Sequence, residues 1–347
     1  MKTVSPDTPL ANISFLTIGN VIAQGISLIG AFYIPRLLGP EIYGNYNTVL
    51  AYVGLFSIFT FSGMTKVIIR ESAKDLTKIK EILEATIGLR LVCSFLAIFV
   101  SIFALIFVDY QLGLKVYISI YSIILLLQGI NGSIGTVFIS SQRMKILGVI
   151  TTLRQLVKVP CTIILLLMHY SIFSIFIAHI VIEIAIVIIL YVHSRKIIVF
   201  NMFSKIKIVK KYVLDGFNFT LLSFFNRLST RIDLLMLSFL TSQHDVGIYA
   251  LAYRLVRKSL VIRGPVSQSL FPFYSAKYSN GKPKLKELVM HSLLIILPLA
   301  LLLFPALFLI EPIVIHVIGI EYIGSVNVFR VLVFYLIFNF SIIPWSS

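Results

Sequence analysis

Long apolar runs joined by short polar stretches dominate this chain. Ten runs approach or exceed the roughly 20 residues a helix needs to cross the hydrocarbon of a bilayer. They cover residues 13–37, 43–64, 86–108, 116–140, 149–168, 172–193, 213–240, 246–274, 288–310 and 323–343. Most joints are short, which predicts antiparallel neighbours along the chain. The joints also alternate in charge. Lys66, Arg70, Lys74, Lys78 and Lys80 follow the second run, Arg143 and Lys145 the fourth. Arg195, Lys196, Lys205, Lys207, Lys210 and Lys211 follow the sixth, and Lys277, Lys282, Lys284 and Lys286 the eighth. The alternate joints hold one lysine between them, Lys115. Basic loops stay in the cytoplasm, so this bias predicts a multi-pass protein with a cytoplasmic N-terminus.

Composition agrees with the pattern. Of 347 residues, 58% are hydrophobic and 13% charged, against about 45–50% and about 25% in soluble domains. That excludes a sizeable soluble domain and predicts an all-α polytopic membrane protein. The net charge is +16, from 30 Lys and Arg against 14 Asp and Glu. Topology and anionic headgroups account for the loop charges, so no nucleic-acid partner is implied. Residues 66–84 interleave Glu71, Asp75, Glu81 and Glu84 with the lysines and read as a solvated interfacial helix. The N-terminus does not read as a convincing signal peptide, because its charge is slight and the apolar run after it is long enough to span. Cys93 and Cys161 fall inside spans and predict no disulfide framework.

Cations inside the spans are what the loops do not explain. A charge at the centre of a spanning helix costs about 2.5–3.5 kcal/mol. Arg154 and Lys158 share one face of the fifth span, Arg227 and Arg231 one face of the seventh, and Arg254 and Lys258 one face of the eighth, beside Arg257. These seven are candidates for lining a water-filled interior that receives an anion. Arg254 lies about 12 Å below the outer end of its span at 1.5 Å per residue. Arg36, Arg90, Lys115 and Arg263 read instead as side chains that snorkel to headgroups. Of the acids, Asp233 reads as an ion-pair partner or bond acceptor, with cation coupling as the alternative. Glu183, alone in the sixth span, reads as one half of a buried pair, with proton coupling as its alternative. The six histidines show no metal spacing, and no soluble-enzyme motif is present. The chain therefore reads as a non-enzyme that needs no cofactor.

Gly129, Gly132 and Gly135 recur every third residue of the fourth span, a spacing that permits close helix contact. Pro160, Pro265, Pro272, Pro298 and Pro305 predict bends or hinges. A weak repeat is also present. Gly44-Asn-Tyr46 opens the second span and Gly247-Ile-Tyr249 the eighth, each the second span of a six-span unit. The halves are then 1–205 and 206–347. A second unit near Lys211 needs about 200 residues by the repeat, but residues 211–347 supply 137, which hold four spans and bring the chain to ten rather than twelve. Two helices are expected to be missing.

These features resemble a known family. The run YIPRLLGPEIYGNY from Tyr33 to Tyr46 is similar to the first-to-second span signature of Wzx-type polysaccharide transporters, in the multidrug/oligosaccharidyl-lipid/polysaccharide exporter superfamily. The segment from Arg231 to Leu237 (RIDLLML), Val246 to Arg254 (VGIYALAYR), Leu270-Phe-Pro272 and Ser141 to Lys145 (SQRMK) extend the likeness over nearly the whole chain. The resemblance implies two six-helix bundles in a V around a cationic central cavity, working by alternating access. It implies a flippase for undecaprenyl-pyrophosphate-linked repeat units of O-antigen or capsule in the bacterial inner membrane. Its partners would be that lipid-linked oligosaccharide, membrane lipids, and polysaccharide polymerase and chain-length proteins. Two alternatives are a multidrug exporter, whose cationic cargo these charges would repel, and a glycan polymerase or ligase, which needs larger outer loops.

Overall fold

The computed structural model describes residues 9–60, 63–74, 79–195, 197, 209–259, 290, 294, 298 and 307–341. Among these the chain is helical without a strand. The protein is an all-α polytopic membrane protein. The basic loops after the sixth and eighth spans, Arg263, Pro265, Pro272, Pro305 and the Leu270–Pro272 motif lie largely or wholly outside the described residues.

Helix α1 (Pro9–Phe56) is really two arms meeting at Gly39. Gly39 has φ 71° and ψ 165°, which a residue with a Cβ avoids, and Pro40 after it cannot extend the ladder. The first two spans therefore separate where the sequence placed the break. A 3-10 turn (Ser57–Thr60) leads to α2 (Met64–Lys74), then α3 (Ile79–Ala104). The fourth span is two helices, α4 (Leu112–Tyr121) and α5 (Ile124–Ser140), and α6 (Met144–Leu167) and α7 (Ile172–Arg195) follow. Five described segments are long and apolar enough to cross a membrane: Ile18–Thr60, Thr86–Phe107, Leu112–Ser140, Met144–Leu167 and Ile172–Arg195.

The seventh span is also broken, into α8 (Val209–Ser229) and α9 (Ile232–Leu240). The amides of Thr230 and Arg231 bond three residues back, to Arg227 and Leu228, at 3.1 Å. That tightens the last turn of α8, while Thr230 Oγ1 donates to the Arg227 carbonyl at 2.9 Å. The helix restarts when Leu235 N bonds Arg231 O. Beyond it run α10 (Gln243–Ser259), α11 (Leu307–Ile318, ending in a π turn) and α12 (Gly324–Ser341).

The chain gathers into two compact units: residues 1–30 with 45–242, and residues 31–44 with 243–347. These are divisions by contact, whereas 1–205 and 206–347 are divisions by repeat. In the first unit α5 packs on α3 and α7, and α6 on α7. Ile87, Ile134, Val137, Phe138, Ile150, Ile186 and Leu190 form its core. A stripe of Phe95, Phe99, Phe103, Ile106 and Phe107 stays exposed along α3 and its end. Such a patch would associate in water and suits contact with lipid.

The glycines of α5 have a specific task. A Cβ on Gly129 would lie 2.5 Å from Ser94 Oγ, and one on Gly132 2.8 Å from Arg90 Nη1. The bare backbone thus opens a slot for polar side chains of α3. This corrects the snorkelling assigned to Arg90. Its guanidinium is buried, donating from Nη1 to Ser133 Oγ at 3.2 Å and from Nη2 to Thr65 Oγ1 at 2.6 Å. Arg36 does stay exposed, donating to the Val317 carbonyl.

In the second unit α10 packs on α12, and Ser325 Oγ donates to Ile248 O at 2.8 Å. Tyr322 Oη donates to the Pro35 carbonyl at 3.0 Å. The repeat glycines meet here. A Cβ on Gly44 would strike the Gln243 carbonyl and crowd Gly247 N, and one on Gly247 would strike the Pro40 carbonyl. Residues 203 positions apart in sequence, 44 and 247, are one close crossing.

Candidate functional site

The first unit concentrates its interior charge between α5, α6 and α7. Arg154 and Lys158 lie one turn apart on α6, as their spacing predicts. Glu183 of α7 is buried, with Oε1 3.2 Å from Arg154 Nε and Oε2 accepting from Asn131 Nδ2 at 2.9 Å. The Arg154 contact is an ion pair without an aligned hydrogen bond at Nε. Lys158 is near enough to feel the charges of Glu183 and Arg154. Two cations thus face one carboxylate, which leaves the site net positive. Beside it, Thr162 Oγ1 and His179 Nε2 share a hydrogen bond at 2.9 Å. The rings of Tyr46 and Tyr121 pack edge-on against His179.

Arg227 ends α8, where its Nη1 donates to Ser57 Oγ of the 3-10 turn. Arg231 sits in the break before α9, in the electrostatic neighbourhood of Tyr121. Asp233 occupies the first turn of α9, where a carboxylate suits the positive helix end, and its Oδ1 accepts the Leu234 amide at 2.8 Å. At one end of α9, Tyr110 Oη bonds Ser238 Oγ. Burial pushes the Tyr110 hydroxyl up to about 12, against a smaller downward pull from that bond.

The second unit holds its cations over aromatic faces. Arg254 lies 5.5 Å from the ring centre of Tyr43, which meets Tyr322 edge-on at 6.1 Å. Arg257 lies 5.5 Å over Tyr253, which is stacked on Tyr249. Lys258 is close enough to Arg254 to feel its charge. Guanidinium over an aromatic face is attracted at about 0.5–2 kcal/mol. The Tyr322 hydroxyl is pushed up, chiefly by burial.

Sequence reading missed Ser57, Tyr43 and Tyr253, which touch Arg227, Arg254 and Arg257, and Asn131, which bonds Glu183, with the Thr162–His179 pair beside it. One signal was present. The repeat tyrosines Tyr46 and Tyr249 each pack beside the polar or cationic cluster of their own unit. Among the described residues no group of three His, Cys, Asp or Glu could hold a metal ion.

The helices describe a polytopic membrane protein, and comparison with known families supplies its class. The model of a family described as polysaccharide biosynthesis protein matches residues 10–278. The chain belongs to this family, that of Wzx-type polysaccharide transporters in the multidrug/oligosaccharidyl-lipid/polysaccharide exporter superfamily. No curated protein and no solved structure matches it.

Proposed function

We propose that this polysaccharide transporter is a flippase for lipid-linked oligosaccharides. It moves undecaprenyl-pyrophosphate-linked repeat units, of O-antigen or capsule type, across the bacterial cytoplasmic membrane by alternating access, with its N-terminus in the cytoplasm. Arg227, Arg231 and Arg254 bind the pyrophosphate, assisted by Arg154, Lys158, Arg257 and Lys258. A pyrophosphate is a compact anion that suits the forked donors of arginine. Holding it midway offsets part of the cost of moving phosphate charge through hydrocarbon.

One observation carries this reading: all seven cations are half-buried. On α6, Leu153, Leu156 and Val157 take the exposed positions while Arg154 and Lys158 do not. Snorkelling side chains at a headgroup would be exposed, and purely structural ones sealed like Arg90. The neighbouring polymerase and chain-length proteins would consume what the flippase delivers.

The test is surface glycan in a strain that depends on this chain. Arg231→Ala should abolish it while the protein still inserts. Normal export by the Arg227→Ala, Arg231→Ala, Arg254→Ala triple variant would refute the cationic interior.

A further inference from the structure

An apolar groove of about 410 Å³ runs along α3 and α8 in the first unit, and the pyrophosphate reading gives it no role. Cys93, Leu96 and Val100 of α3 line one wall, and Phe217, Leu221 and Phe224 of α8 the other. The spacings are those of a single helical stripe on each helix. Thr220 also reaches the groove, but its hydroxyl is committed: Oγ1 donates to Gly216 O at 2.8 Å and accepts the Gly63 amide at 3.2 Å. The walls therefore ask no hydrogen bond of an occupant.

The α8 stripe changes character at its end. Three residues past Phe224 comes Arg227, bonded to Ser57, whose chain neighbour Ile58 also lines the groove. From Phe217 to Arg227 the stripe spans about 15 Å at 1.5 Å per residue. An occupant matched to this surface is an extended hydrocarbon chain carrying an anionic oxygen group at one end. A chain without the anion would give the Arg227 charge nothing to attract, and a free anion would leave the apolar walls unfilled.

We propose that this groove holds the isoprenoid tail of the lipid-linked pyrophosphate, with the phosphate nearest the tail on Arg227. This rests on the flippase reading and adds a tail site to its head-group site. Phosphatidylglycerol, with a single phosphodiester charge, is the competing source of the same chemistry.

The experiment uses the full chain in nanodiscs of phosphatidylethanolamine. Binding of geranylgeranyl pyrophosphate is compared with that of inorganic pyrophosphate. Leu96→Trp and Leu221→Trp, which fill the groove, should weaken the isoprenyl ligand at least tenfold and leave inorganic pyrophosphate unchanged. Arg227→Ala should weaken both. Because a tryptophan can disturb folding, wild-type protein is also crosslinked with a benzophenone-tailed isoprenyl pyrophosphate. Adducts on α3 and α8 support the site, and adducts confined to other helices overturn it. Full isoprenyl binding by both tryptophan variants overturns it too, as does equal competition by phosphatidylglycerol. Failure of wild-type protein to bind either pyrophosphate would sink the flippase reading itself, an outcome distinct from the loss of the groove alone.

Discussion

Removing Arg154 should damage this protein more than removing its partner, and removing both should repair much of the damage. Arg154→Ala leaves Glu183 buried with the Asn131 amide bonded to it and the charge of Lys158 nearby, but without its ion-pair contact. Breaking a buried pair from one side costs about 3–5 kcal/mol. The Arg154 side chain is 31% exposed and that of Glu183 10%, so the lost attraction is partly screened, and about 2–3 kcal/mol is expected. Glu183→Gln is gentler. The amide oxygen still accepts from Asn131, and the freed guanidinium has an exposed edge to hydrate, so about 1 kcal/mol suffices. The double variant carries neither a stranded carboxylate nor a stranded guanidinium. It should fall near Glu183→Gln, with a coupling of about 2–3 kcal/mol in a double-mutant cycle. Equilibrium unfolding in mixed micelles with increasing dodecyl sulfate, followed by helical circular dichroism, reads all four proteins. Arg154→Ala within about 0.5 kcal/mol of wild type, or a double variant no better than Arg154→Ala, would refute the pairing.

Three further substitutions probe close approaches. Gly247→Ala drives a methyl into the Pro40 carbonyl and Gly44→Ala into that of Gln243. Backbone cannot yield as a side chain does, so each should lose stability at the upper end of the about 1–3 kcal/mol of overpacking, read as a drop in melting temperature and yield. Gly132→Ala, 2.8 Å from Arg90 Nη1, should cost about 1–2 kcal/mol by the same measure, and Arg90→Met in the same chain should relieve the clash. Tyr43→Leu removes the ring beneath Arg254 and should cost about 0.5–1 kcal/mol, whereas Tyr43→Phe keeps the ring. A glycan-export deficit confined to the leucine variant checks it.

The legible part of this chain was whatever a helix decides by itself. Apolar length, loop charge and the Gly39-Pro40 interruption act over a turn or two, so the first two spans and their joint appear where the pattern put them. The i, i+4 pairing of Arg154 with Lys158 is likewise a property of one helix. The break at Arg231 was not legible, since it depends on Thr230 and on bonds that tighten rather than end a helix.

Arg90 marks the limit most clearly. Near the start of its span it has the sequence signature of a snorkelling residue, and its burial depends on Gly132, Ser133 and Thr65, which belong to other helices. The repeat glycines carry the same lesson. Sequence found Gly44 and Gly247 as two copies, and the packed unit makes them one contact. Composition and periodicity by themselves determined a membrane protein of interior cations, because hydrophobic length and charge cost are local sums. Which carboxylate answers Arg154, which ring lies under Arg254, and which glycine makes room for Arg90 were decided only by tertiary structure. Partnership is set by what the neighbouring helix presents, and the spacing along one helix does not encode that.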